Sequence, residues 1–328
     1  MNPNSSLIVT SVSAPNTVMK MYAEKCSEYG MEFIVIGDLD SPKDFRLEGC
    51  RFYSLSEQKK LSLRLAKLLP EKHYARKNLG YLLSRQKDVI IETDDDNIPQ
   101  ENFWFPRQRS REAMTVSEKG WVNVYSCFSK ENIWPRGFPL EKIQPLQTLN
   151  FKPETLNFPI QQGLADENPD VDALYRLTQK LPVVFNPGPA ISLGNNSWCP
   201  FNSQNTTWFK ESYALLYLPS FCNFRMTDIW RSFIAQRIAW TCGWNILFHD
   251  ATVRQDRNSH DLMKDFADEI PGYLNNAKIC ALLEDLDLKD GVDNMSENLV
   301  RCYRLMTEEN FIDKKEMPLV DAWIMDMN

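Results

Sequence analysis

Histidine is almost missing from this 328-residue chain, which has three. That scarcity nearly excludes a Cys/His metal centre, so a catalytic metal would need oxygen ligands. Cysteine does not fill the gap. The eight cysteines (Cys26, Cys50, Cys127, Cys199, Cys222, Cys242, Cys280 and Cys302) stand singly, with no C-x-x-C pair to suggest structural zinc or redox chemistry. Positive charge is also short: the net charge of -7 argues against an electrostatic footprint for nucleic acid or an anionic membrane surface. Any phosphate-bearing ligand must then be held locally. No apolar run approaches the roughly 20 residues that cross a bilayer, and no charged, then apolar, then small-residue leader is seen. The expectation is a cytoplasmic protein with no membrane span and no nucleic-acid partner.

What is present suits a globular enzyme. Hydrophobic residues at 43% and charged residues at 25% can build a sizeable core, and 9 Trp with 18 Phe leave aromatics over for stacking on sugar rings. Leu7 to Val12 and Phe33 to Ile36 read as buried strands, with a helical stretch between them through Glu28. Ser54 and Glu57 form the ends of a capping-box pattern for a helix to Pro70. A second helix from about Tyr74 to Gln86 leads into the apolar strand Asp88 to Glu92. Strands alternating with helices predict an α/β fold with a parallel sheet. Trp121 to Tyr125 reads as a further strand, and helices are expected from Asp170 to Lys180, from Asp228 to Cys242 and over most of the chain beyond Pro271. With no repeat or low-complexity linker, the organisation is read as 1–270 for ligand binding and 271–328 as a helical C-terminal extension.

In parallel sheets ligands gather beyond the carboxyl ends of strands, and the third strand ends at Asp94-Asp95-Asp96. Three adjacent aspartates repel one another, a conflict that a divalent cation removes. Strand alternation puts Asp94 and Asp96 on one face as a pair for Mg²⁺ or Mn²⁺ shared with substrate phosphates. The competing reading is a solvated acidic turn. Just upstream, Arg76, Lys77 and Asn78 place two cations and an amide on the helix that feeds this strand, where a diphosphate could be gripped.

The run Arg76-Lys-Asn-Leu-Gly-Tyr81, followed by Ile91-Glu-Thr-Asp-Asp-Asp-Asn-Ile-Pro99, resembles the STELLO-type glycosyltransferases. Four further stretches are similar to that family in the same order. They are Trp134-Pro-Arg-Gly-Phe-Pro139, Gln162-Gly-Leu-Ala165 with Asn168 to Thr178, Pro200 to Thr206, and Thr227-Asp-Ile-Trp-Arg231. The resemblance implies a GT-A-like fold, Rossmann-like in its nucleotide-binding half, and a nucleotide-sugar donor. It also implies a setting in polysaccharide synthesis.

Under that resemblance Asp94 and Asp95 would meet the donor, and Asp94 and Asp96 the metal. Many GT-A enzymes add a late third ligand, for which His260 in a polar stretch is preferred to His249. Asp228, ahead of an apolar-patterned helix, is either an N-cap or a carboxylate that faces the acceptor. Arg231 lies one turn on, able to meet the pyrophosphate or to pair with Asp228. The amides of Asn202, Gln204 and Asn205 suit the hydroxyls of an acceptor.

The sequence therefore predicts a metal-dependent transferase that moves a sugar from a nucleoside diphosphate, UDP favoured, to a glycan or other hydroxyl acceptor. The alternatives are a nucleotide-sugar mutase, a nucleotidyltransferase, or a non-catalytic nucleotide-sugar-binding scaffold.

Overall fold

The computed structural model describes residues 4–144, 148–256 and 261–328. The first half is built by β1 (Ser5–Thr10), α1 (Thr17–Glu28), β2 (Glu32–Ile36), β3 (Arg51–Tyr53), α2 (Leu55–Gln58), α3 (Lys77–Leu83) and β4 (Val89–Thr93). Strands β3, β2, β1 and β4 lie side by side in that order, all parallel. Their centres are apolar on both faces, as a sheet covered by helices on both sides requires. Gly80 lets α3 lie close on β1, since a Cβ there would come within 2.5 Å of Ile8 Cγ2.

The sheet then changes character. Beyond β4 the order runs through β12 (Asn205–Phe209), β9 (Ile160–Asp166), β13 (Ile246–Gln255), β10 (Ile191–Leu193), β6 (Ser110–Val116) and β8 (Phe151–Asn157). β12 is antiparallel to both β4 and β9, β13 is parallel to β9, and a short β5 (Asn97–Pro99) pairs with β13. A separate pair joins β7 (Gly120–Trp121) to β11 (Ser197–Trp198). The result is the expected α/β sheet flanked by helices, parallel in its first half as the sequence predicts and mixed in its second.

Three local expectations are corrected. The capping box at Ser54 and Glu57 forms, but α2 stops after four residues. The chain beyond it is held by distant partners instead: the Gln58 amide donates to Gly37 and Tyr53 carbonyls, and Asp326 accepts the Arg64 and Leu65 amides. Strand structure at Trp121 ends at once, because Val122 N–H donates to Trp198 and the Asn123 amide donates to Ile133 before α4 (Tyr125–Phe128) begins. The helix read from Asp170 is α5 (Ala173–Thr178), capped by Asp172.

The rest is helical: α6 (Thr227–Thr241), α7 (Leu262–Asp285), α8 (Met295–Glu308) and α9 (Met317–Met327). A boundary at 270/271 falls inside α7, with Pro271 within the helix. Tyr303, Met306 and Trp323 are buried in the same apolar cluster as Ile8, Trp208 and Phe233, so the C-terminal helices complete the main core. Among the described residues no helix is long and apolar enough to cross a membrane.

Candidate active site

A cleft of about 550 Å³ opens at the carboxyl ends of the parallel strands. Thr10 and Ser11 reach it from β1, Gly37 and Asp38 from β2, and Asp94, Asp95 and Asp96 from β4. The strand order reverses between β1 and β4, and this crevice is where open α/β sheets bind ligands. The facing wall comes from the second half: Arg136, Asp170, Arg176, Ser203, Gln204, Phe224, Arg225, Asp228 and Gln255.

β4 ends at Thr93, so the three aspartates form the turn into β5 and strand alternation does not govern them. All three line the cleft, including Asp95, which alternation would have turned away. Each is oriented by a different neighbour. Asp94 accepts from the Tyr74 hydroxyl at 2.9 Å and Lys77 Nζ at 3.1 Å, Asp95 from Ser11 Oγ at 2.5 Å, and Asp96 from the Gln255 amide at 3.1 Å. Burial raises the Asp95 pKa, and burial together with the charges of Asp94 and Asp95 pushes Asp96 up to about 7.

Such crowding of carboxylates is relieved by a cation. Among the described residues no three His, Cys, Asp or Glu side chains group as a metal centre. The turn offers oxygen donors only, the chemistry that Mg²⁺ or Mn²⁺ would need from one or two carboxylates. His260 lies outside the described residues. His249 does not line the cleft, and burial with Arg111 and Arg107 beside it pushes its pKa down to about 3.

Several expected ligands are engaged by partners inside the fold. Lys77 is fully buried, with its ammonium on Tyr74, Thr93, Asp94 and Ser203, so it supports Asp94 from behind and has no donor left for a phosphate. Asn78 clamps the backbone of Leu218 in both directions, at 2.8 and 2.9 Å. Arg76 lines the cleft but is buried, its guanidinium donating to Gln58 and to the carbonyls of Leu69 and Pro70. Arg231 is turned away from Asp228. It forms a two-point pair with Glu92 at 2.9 and 3.0 Å, over the ring of Trp208, and so pins α6 to β4. Asn202 and Asn205 satisfy neighbouring backbone, Asn202 at Gln204 N–H and Asn205 at Leu164 C=O, while Gln204 does reach the cleft.

Asp228 lines the cleft and caps nothing: α6 has Met226 as N-cap, with no side-chain cap. Both of its carboxylate oxygens accept from the single Arg136 Nη2, at 2.9 and 3.0 Å, and one accepts from Ser203 N–H. Burial alone would raise its pKa, but Arg136, with Arg231 behind, holds it below the usual carboxylate range.

Arg136 also grips Asp170 at 2.8 and 2.9 Å, and Ser203 Oγ lies 2.7 Å from the Tyr74 hydroxyl. One network, Lys77–Tyr74–Ser203–Asp228–Arg136–Asp170, thus joins the acidic turn to the start of α6. Sequence reasoning assigned no role to Tyr74, Arg136, Asp170 or Ser203. Arg136 and Asp170 did stand within two of the runs similar to the STELLO family.

Comparison with known proteins agrees with that similarity. Residues 225–328 match the family described as STELLO glycosyltransferases. The chain is 27% identical over 324 residues to "Probable glycosyltransferase STELLO2" of Arabidopsis thaliana and 25% identical over 329 residues to "Probable glycosyltransferase STELLO1" of the same plant. Each alignment covers 91% of this chain and 41% of the relative, so the chain spans about two fifths of their length. Among solved structures, a mycobacterial protein and glucosyl-3-phosphoglycerate synthase from Mycobacterium tuberculosis in complex with phosphoglyceric acid each superpose with a TM-score of 0.44. They are 11% and 13% identical, each match covering 84% of this chain and, in turn, 74% and 80% of theirs. The ordered motifs, the match of the C-terminal third to the family model and two relatives aligned along nearly the whole chain all point to the same similarity, to STELLO glycosyltransferases.

Proposed function

We propose that the cleft binds a nucleoside-diphosphate sugar, UDP favoured, together with Mn²⁺ or Mg²⁺, and that the sugar passes to a hydroxyl of a glycan or other acceptor. The observation that carries this reading is the convergence of Asp94, Asp95 and Asp96 on one cleft, with Asp96 pushed up to about 7 by its neighbours and its burial. The relatives' printed names support the same reaction class. A setting in polysaccharide or glycoconjugate synthesis belongs to the proposal. So does a cytoplasmic location, which eight free cysteines support.

In this reading Tyr74 and Lys77 hold Asp94, and Ser11 holds Asp95, in position before any ligand arrives. A bound cation would neutralise charge on the departing diphosphate. The acceptor oxygen bonds to the anomeric carbon while that carbon's bond to the diphosphate oxygen breaks, and the electron pair leaves on the diphosphate. Asp228, kept ionised by Arg136, is a poor proton acceptor and a good electrostatic one: it stabilises positive charge developing on the sugar, while the hydroxyl proton leaves to solvent or to the released diphosphate.

Calorimetry tests the reading. UDP should bind in Mn²⁺ or Mg²⁺ and lose most of its affinity in chelator, and Asp96→Ala should remove the metal-dependent part while the protein stays folded by circular dichroism. Metal-independent binding of equal strength in wild type and variant would overturn the assignment.

A further inference from the structure

We infer that Phe224 is the acceptor's stacking platform, and that the acceptor is a sugar presenting a C–H face to its ring. The inference rests on the nucleotide-sugar reading above and names the acceptor class for that site.

An exposed Phe alone means little, because single apolar side chains on a surface are common. The mounting of this one is the observation. Phe224 lines the cleft with 56% of its surface exposed. Both flanking residues are anchored: Asn223 caps the turn by accepting from Arg225 N–H at 2.9 Å, and the Arg225 guanidinium donates to the buried Glu269 at 2.7 and 3.0 Å. The Arg225 carbonyl in turn accepts from Arg136. The ring makes two near-perpendicular contacts, with His73 at 6.5 Å and Tyr74 at 6.0 Å between centroids. A backbone held by these bonds thus presents a large apolar ring to a cleft that also carries many polar groups, in the manner of sites that combine apolar walls with a few placed polar groups.

Position separates acceptor from donor. The nucleoside end of such a cleft lies at the strand termini, lined here by Thr10 to Ser13 and by Gly37, Asp38 and Asp40. Phe224 stands four residues before Asp228 and touches Tyr74, whose hydroxyl bonds Asp94. It therefore abuts the residue that holds the acidic turn and opens the segment that leads into Asp228, and we place the incoming hydroxyl beside it. A pyranose pairs an apolar C–H face with a rim of hydroxyls, and this wall offers a ring with Gln204, Arg176 and Asp170 lining the same cleft.

Saturation-transfer NMR on the full chain with saturating Mg²⁺ and UDP tests this, with cellotetraose, xylotetraose and mannotetraose as probes and glycerol as the non-ring control. Ring C–H protons of at least one saccharide should receive saturation, and glycerol should not. Phe224→Ala should weaken that saccharide by about tenfold, the size of a lost aromatic contact, and Phe224→Tyr should restore it. UDP affinity should stay within about twofold in both variants, less than half a kcal/mol. Three results would overturn the inference: saccharide affinity that survives Phe224→Ala, a parallel loss of UDP affinity that makes the ring a nucleobase platform, or no contact from the whole panel while UDP binds. Failure of UDP to bind wild-type protein would bring down the nucleotide-sugar reading itself, and this inference with it.

Discussion

Single side chains in the cleft carry opposite electrostatic burdens, and pH separates them. Asp96 is raised from an ordinary carboxylate to about 7 by burial and the charges of Asp94 and Asp95, so below that pH it is protonated and cannot serve a cation. Metal-dependent UDP affinity should therefore rise with pH through about 7, and Asp96→Asn should flatten the profile, read by calorimetry at pH 5.5 to 8.5 (about three units around that midpoint). For stability the sign is the reverse. A raised folded-state pKa favours the protonated fold, so metal-free protein loses this contribution as pH climbs from 3.8 towards about 7, and bound metal should return it. Asp228 behaves oppositely, being held ionised by Arg136. Asp228→Asn leaves Arg136 buried with Asp170 as its one remaining carboxylate. We expect a loss of about 1–3 kcal/mol in urea melts together with a turnover drop of about a hundredfold. An N-cap role alone would have predicted almost no change in stability.

Elements matter here for what they hold in place from behind. α7 lies outside the cleft wall, yet its Glu269 is fully buried and accepts from Arg225, from Ala173 N–H at 2.7 Å and from the Tyr273 hydroxyl at 2.7 Å. It ties α5 and the segment before α6 to one carboxylate. Glu269→Gln should leave Arg225 without its counter-charge, cost about 2–4 kcal/mol by chemical denaturation, and weaken saccharide more than UDP, because Phe224 is mounted beside Arg225. Equal weakening of both ligands would mark the residue as a general support. Elements were legible from sequence wherever local pattern decided them: β1, β2, β4 and α6 have the apolar periods of buried strands and of a helix packed on a sheet. Legibility failed between Lys59 and Pro70, where a sound capping box precedes no long helix. Asp326, some 260 residues away, takes the backbone amides there, and no local signal records it.

Across the whole molecule the C-terminal helices are part of the core. Trp323 is fully buried against Tyr217, 5.6 Å between ring centroids, and donates to the Ala214 carbonyl, so Trp323→Ala should cost about 3–5 kcal/mol and broaden or shift the single unfolding transition of the entire chain. A separate early transition confined to these helices would instead restore the division at 270/271. The amino-acid sequence by itself determined the α/β class, the parallel half and the acidic turn at the end of β4, because periodicity and strand-end position are local properties of the chain. It also carried the family resemblance, in runs that included Arg136 and Asp170 before either had a role. Only the tertiary structure decided which polar residues were free to meet a ligand. Lys77, Asn78, Arg231, Asn202 and Asn205 have the right chemistry on paper, but buried polar groups must find partners, and each found them inside the fold, in backbone groups or in Glu92 and Asp94. Phe224 went the other way: its ring meets His73 and Tyr74 at their edges and leaves more than half of its surface open.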